Sequence, residues 1–360
     1  MNTYANPRNF GCRITEFKLA GYEALALQNE SLRITVLPGK GTDIVEFLYK
    51  PLDIDFMWLS YAGLRSPSSL RPGNADAGSS FLDYYPGGWQ EIFPNFGDAC
   101  NYKGASLGLH GEACLLPWRY SVLQDCPTCV SVCFSVRCVR TPFSLQKTMT
   151  MGSGPVLLIS ESLTNESEET MDCSWGHHPA LGGGFLDGTC RVHLPPCRVR
   201  TLDDYVSPNS RLEKAQDEEW PFVKGRQGEI IDLSIIPSPF AKSHDMAYLY
   251  DFDQGWYAVT NPSKKIGFGM VWNKDVFKHL WFWQVFRGWA GYPWYGMSYN
   301  IGLEPCTSFP PSLTKAISQN TQLRLAPGET LKTEISVTVF RNIERVEEIS
   351  PSGEVHGRQL

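Results

Sequence analysis

Three short stretches set ionisable side chains among residues that punctuate a chain: Gly108-Leu109-His110-Gly111-Glu112, Trp175-Gly176-His177-His178-Pro179 and Gly302-Leu303-Glu304-Pro305. A carboxylate and an imidazole that reach one substrate can take a proton from one atom while giving one to another, which is general acid–base chemistry. Each stretch also has a plainer reading. On an extended chain His110 and Glu112 share a face and make an ion pair of structural use alone. His177 and His178 face opposite ways on a strand, so one of them at most enters a given pocket, and Pro179 favours an extended residue before it. Glu304 sits in the apolar run 299–305, where an unpaired carboxylate is costly, so it is either paired or retained for function.

A second group of candidates is aromatic. The chain has 11 Trp, 15 Tyr and 19 Phe, and rings with a polar tip offer flat faces to the C–H surface of a pyranose while still reaching hydrogen-bond partners. Trp281 and Trp283 share a face by alternation and form a stacking platform, with Gln284 beside them as an amide; the plain alternative is core packing. Arg71 and Arg287 are candidates for an anionic substituent.

These residues need a scaffold, and period-two alternation supplies one. Leu32, Ile34 and Val36 share a face, as do Val130, Val132, Phe134 and Val136, and Leu331, Ile335, Val337 and Val339. Further strand-like runs at 156–162, 247–251, 256–260, 266–272 and 323–325 are bounded by Gly, Pro, Asn or Asp. The best helical stretch, 211–220, is mostly charged and reads as a solvated loop or short surface helix. Many short strands separated by turns predict an all-β fold, a large antiparallel β-sandwich, as one domain over 1–350. Residues 351–360 are polar and aperiodic and read as a frayed tail, and 66–80 as a long loop able to cover a site.

Composition narrows the function. There are 32 basic against 38 acidic residues, a formal charge of −6 without a long block of either sign, which excludes the positive surface that nucleic acid requires. The first residues lack a charged start followed by an apolar run, and no stretch approaches the length of a membrane span, so a soluble cytoplasmic protein is expected, a monomer or homodimer. The 11 cysteines are irregularly spaced and do not read as a disulfide framework. Cys126 and Cys129 form a single CxxC without a second pair at zinc-ribbon spacing. No GxGxxG strand–helix unit and no GxxxxGK[ST] loop occurs, and no cofactor is expected.

The His-Gly near 110, His-Pro near 178 and Leu-Glu-Pro near 304 together resemble the aldose 1-epimerase (galactose mutarotase-like) family, over roughly residues 31–340. The resemblance implies a sugar substrate and its family's β supersandwich. It also implies that Glu304 is the general base on the anomeric hydroxyl, His178 the general acid toward the ring oxygen and His110 a second histidine on the ring. The segment Gly87-Gly88-Trp89-Gln90-Glu91 ahead of Pro94-Asn95-Phe96-Gly97 resembles the one lining the sugar site in divergent members. Trp89, Gln90, Glu91, Glu112, His177, Trp283 and Gln284 are thus the expected substrate contacts. No Asn-Arg motif precedes the first histidine and Ala-Leu-Gly follows the His-Pro, which points to a divergent member whose sugar is modified, a ketose, or part of a larger glycoside. Two other functions use the same residues. His110, Glu112, His177 or His178, and Glu304 are ligand types for a divalent metal supporting sugar isomerase or lyase chemistry. A carbohydrate-binding protein without turnover needs only the stacking and hydrogen bonds.

Overall fold

The computed structural model describes residues 8–66 and 79–360. Arg71 and all but the ends of the loop expected over 66–80 lie outside the described residues. Two antiparallel sheets dominate, one of twelve strands and one of eight. The larger runs from the N-terminal hairpins through Asp43–Tyr49, Trp89–Ile92, Gly176–Leu181, Tyr299–Cys306, His279–Phe286 and Ser243–Tyr250 to Arg198–Thr201 and the edge strand Asp217–Glu219. The smaller runs from Arg191–His193 to the hairpin of Cys129–Arg137 with Arg119–Cys126.

Alternation explains why the sheets stack. Leu32, Ile34 and Val36, and Val130, Val132 and Phe134, are fully buried on the inner faces. Between the sheets Phe47 and Phe56 from the larger meet Phe268 from the smaller, with ring centroids 5.5 and 5.3 Å apart. Each such buried side chain contributes roughly 1.5–3 kcal/mol against exposure. The strand-like runs identified in the sequence lie in strands, except that 247–251 overruns Ser243–Tyr250 by one residue, while 211–220 forms no helix and its end becomes the edge strand Asp217–Glu219.

The expected tail is a correction. Val355–Gln359 is a strand paired with Ile343–Ile349. That hairpin packs Ile343, Val346, Ile349 and Val355 against Trp256, Ala258 and Phe340. The last ten residues look free because most of the apolar residues that anchor them belong to the partner strand.

Register across the larger sheet positions the candidate chemistry. Gly176 pairs with Cys306 and Ala180 with Gly302, which sets His178 opposite Glu304. On its other side His178 pairs with Gln90, while Glu304 pairs with Trp281 and Trp281 with Tyr248. One row of side chains therefore crosses five strands on the face turned away from the smaller sheet. The neighbouring residues Glu91, His177 and Leu303 point the other way, between the sheets.

Candidate active site

The row opens into a cleft of about 410 Å³ on the outer face of the larger sheet. His178 and Glu304 lie on its floor, and Tyr85, Trp281, Trp283, Trp289 and Trp294 supply much of its wall. His178 Nε2 is 3.4 Å from Glu304 Oε1, and its Nδ1 is 3.3 Å from the Tyr85 hydroxyl, which can donate or accept and so serve either tautomer. Glu304 Oε1 is buried without a hydrogen-bond partner. The carboxylate folds back over Gly302, where a Cβ would collide with that oxygen, so the absence of a side chain at 302 makes room for it.

Burial sets the protonation of this pair. It pushes Glu304 well above the ordinary carboxylate range and brings His178 down to about 4. A buried charge is penalised in either group, so burial favours a protonated Glu304 beside a neutral His178.

His110 reaches the same cleft from a loop, with its ring 5.1 Å from that of His178. It sits at φ +59, a left-handed conformation unusual outside glycine, and Gly111 follows at +73. Reciprocal bonds hold it there: His110 N–H donates to Gly97 O at 2.9 Å, and Gly97 N–H donates to His110 Nδ1 at 3.2 Å. Nδ1 is thereby an acceptor, which leaves the proton of the neutral ring on Nε2. Burial, then the proximity of His178, keeps this ring well below the usual histidine pKa.

Behind the strand lies a buried polar cluster between the sheets. Lys147 Nζ is 3.0 Å from Glu91 Oε2, and His177 Nε2 is 3.0 Å from Glu161 Oε2. Trp89 Nε1–H donates to His177 Nδ1 at 3.1 Å, and Trp175 Nε1–H donates to Glu91. Burial alone would raise Glu91, but Lys147 and His177 overcome it and hold the carboxyl at about 2. Glu161 rises to about 7 through burial and the nearby Glu91 charge. Burial opposes a charge on His177, yet Glu161 and Glu91 outweigh it and raise its pKa.

The structure thus divides the expected site residues. Glu304, His178, His110 and Trp283 line one cleft. Trp89, Glu91 and His177 belong to the cluster behind it, because their strand positions carry the opposite parity. Gln90 shares the face of His178 but is fully buried, donating to Asp43 Oδ2 at 3.1 Å and Gly87 O at 2.8 Å. Gln284 lies on the inner face and accepts from Arg211 Nη2 at 3.1 Å. Glu112 is not on the face of His110, since two consecutive positive-φ residues break the extended geometry. Its carboxylate accepts from Val139 N at 2.8 Å, Arg140 N at 3.0 Å and Thr141 Oγ1 at 3.1 Å, tying down that loop.

The metal-ligand set read from the sequence is accordingly dispersed, with Glu112 and His177 turned away from the cleft. Among the described residues the one grouping with ligand atoms within 4.8 Å is Glu91, Glu161 and His177. The Lys147 ammonium already sits on the Glu91 oxygen there, a poor fit for a second cation. Sequence reasoning missed Tyr85, Trp289, Trp294 and His244. His244 stacks on Trp289 with centroids 4.5 Å apart and accepts from Trp283 Nε1–H at 3.4 Å, and its Nδ1 is buried without a partner. The strand-like run beginning at 247 stopped short of it.

The two stacked sheets share their fold with galactose mutarotase-like proteins of known structure. A protein provisionally assigned as an aldose 1-epimerase from Klebsiella pneumoniae superposes with a TM-score of 0.71 at 14% identity, over 92% of this chain and 88% of that one. A galactose mutarotase-like protein from Clostridium acetobutylicum gives 0.62 at 17% identity, covering 92% and 99%. A galactose mutarotase related enzyme from Lactobacillus acidophilus gives 0.58 at 16%, covering 90% and 100%. The chain belongs to the family described as domain of unknown function DUF4432, which matches residues 19–339. No curated protein matches the sequence. Among the described residues no helix is long and apolar enough to cross a membrane.

Proposed function

We propose that the protein is a sugar 1-epimerase that interconverts anomers by ring opening, with Glu304 and His178 exchanging protons with the substrate. The observation that carries this reading is the buried carboxyl–imidazole pair, 3.4 Å apart on the floor of an aromatic cleft. In its ion-pair form Glu304 takes the proton from O1 while His178 gives one to the ring oxygen. The C1–O5 bond breaks as the C1 carbonyl forms. Rotation about C1–C2 presents the other carbonyl face, and reversal of both transfers closes the opposite anomer. The transfers leave Glu304 protonated and His178 neutral, the state that burial favours, so the open-chain intermediate adds no net charge to the buried pair. His110 Nε2–H is available as a donor to the ring or its oxygen. The ring walls suit stacking on a pyranose.

The test is anomer exchange followed by proton NMR on a panel of aldoses, ketoses and deoxy sugars. Exchange is expected to accelerate on at least one sugar, to fall by about 10²-fold or more in Glu304→Gln, and to survive a chelator. Saturable binding without acceleration on any sugar would replace this reading with that of a carbohydrate-binding protein. Loss of exchange on chelation would replace it with a metal-dependent one.

A further inference from the structure

Cys126 and Cys129 end and begin the two strands of the edge hairpin of the smaller sheet, with Pro127 and Thr128 between them. Their register pairs them directly. Directly opposed residues of an antiparallel pair lie about 4.5–5.5 Å apart at Cα with side chains on one face, inside the roughly 4.4–6.8 Å that a disulfide spans. Both are partly exposed. The Cys126 sulfur receives Gln124 Nε2–H at 3.2 Å and lies 3.4 Å from Thr128 Oγ1, a second donor able to stabilise a thiolate. The Thr128 contacts and then Gln124 bring its pKa down to about 7. By contrast burial pushes Cys114, Cys190 and Cys197 up to about 12, which makes those thiols inert. Cys12 lies beside the hairpin, its N–H donating to Pro127 O at 2.8 Å, but it is fully buried.

We propose that Cys126 and Cys129 form a reversible dithiol–disulfide site on this hairpin, with a small disulfide such as oxidised glutathione as the oxidant. The Cys126 thiolate attacks one sulfur of glutathione disulfide, forming a mixed disulfide and releasing one glutathione thiolate. That thiolate takes up the proton that Cys126 has lost. The Cys129 sulfur then attacks the Cys126 sulfur, the intramolecular S–S bond forms, and the second glutathione leaves with the proton from Cys129. Two electrons pass from the protein to glutathione disulfide, giving two molecules of glutathione.

The full-length protein is equilibrated in glutathione buffers of graded oxidised fraction, quenched by alkylation and mapped by peptide mass spectrometry. The expected product lacks two hydrogens and is linked between 126 and 129. Cys129→Ser is expected to accumulate a glutathione adduct on Cys126, and Cys126→Ser to form neither product. At pH 7 the reduced Cys126 should alkylate about tenfold faster than Cys129, whose thiol is pushed up by burial and then by Cys126. Absence of the 126–129 link in every buffer would overturn the proposal, as would a Cys12–Cys126 link in its place or an adduct in Cys129→Ser that falls on another cysteine. Anomer exchange does not enter the readout, so the result is independent of the proposed activity.

Discussion

Replacing Lys147 with methionine probes the cluster behind the cleft. The lysine reaches from the strand Phe143–Met151 across the core to Glu91, and the side chains of the pair are 5% and 0% exposed. Methionine keeps most of the apolar stem and removes the charge. The Glu91 carboxylate then loses its nearest cation where water cannot replace it, a loss worth about 3–5 kcal/mol when one partner of a buried pair is deleted. Unfolding entropy of about 2.1 cal/mol/K per residue gives about 0.75 kcal/mol/K for a chain of 360 residues, so Lys147→Met should lower Tm by about 4–7 °C. The double variant Lys147→Met/Glu91→Gln removes both charges and should recover most of that loss. Thermal unfolding followed by calorimetry and circular dichroism measures both. A single-variant drop below about 1 °C, or a double variant no more stable than the single, would refute the claim that Lys147 supplies most of the charge compensation at Glu91.

The same cluster carries a pH signature. Glu161 sits at about 7 against an ordinary 4.5, so its contribution to stability is fully present below about 4.5 and is lost as pH rises through about 7. Wild type should therefore lose ground to Glu161→Gln across that window, read as diverging urea midpoints, and parallel midpoints would count against it. Gly302→Ala should displace the Glu304 carboxylate and cut anomer exchange by about tenfold or more while leaving the circular dichroism spectrum unchanged; unimpaired exchange would show that the carboxylate tolerates the shift. Glu112→Ala leaves the Val139 and Arg140 N–H groups without an acceptor, at a cost of about 1–3 kcal/mol in denaturant unfolding, with exchange at the wild-type rate. A collapse of exchange in the folded variant would put Glu112 back among the substrate contacts.

What could be read in the sequence followed from local periodicity. Alternation at 32–36, 130–136 and 331–339 marks half-buried strands wherever the partner strand lies, so the all-β class was visible without any long-range information. The opposed facing of His177 and His178 was visible for the same reason. Which face held the cleft was not, because parity says only that Trp89 and Glu91 go together and Gln90 goes opposite. It takes the pairing of Trp89–Ile92 with Gly176–Leu181 to align Gln90 with His178 and to send Trp89 and Glu91 into the interior. Even then Asp43, from a strand some fifty residues earlier, seals Gln90 from solvent. His110 escaped strand reasoning through its positive φ, which glycine at 111 hints at and only the Gly97 contacts fix. Tyr85, just past the short helix Ser79–Tyr84, and Trp289 and Trp294 come to the cleft from loops whose placement leaves no periodic trace.

The back-to-back arrangement of cleft and ion cluster across one strand has an evolutionary consequence. Between 176 and 181 consecutive residues answer to different structural demands, since His178 lines the cleft and its neighbour His177 joins the ion cluster. The wall positions of the cleft make no contact with the ion cluster, whereas Glu91 and His177 on the other face are held by charges whose loss would cost stability. Specificity can therefore be rewritten on one side of the sheet without renegotiating the scaffold on the other. A mutational library confined to the cleft-facing positions, such as 246, 248, 281 and 283, should return a far higher fraction of folded variants than one of equal size spread over both parities.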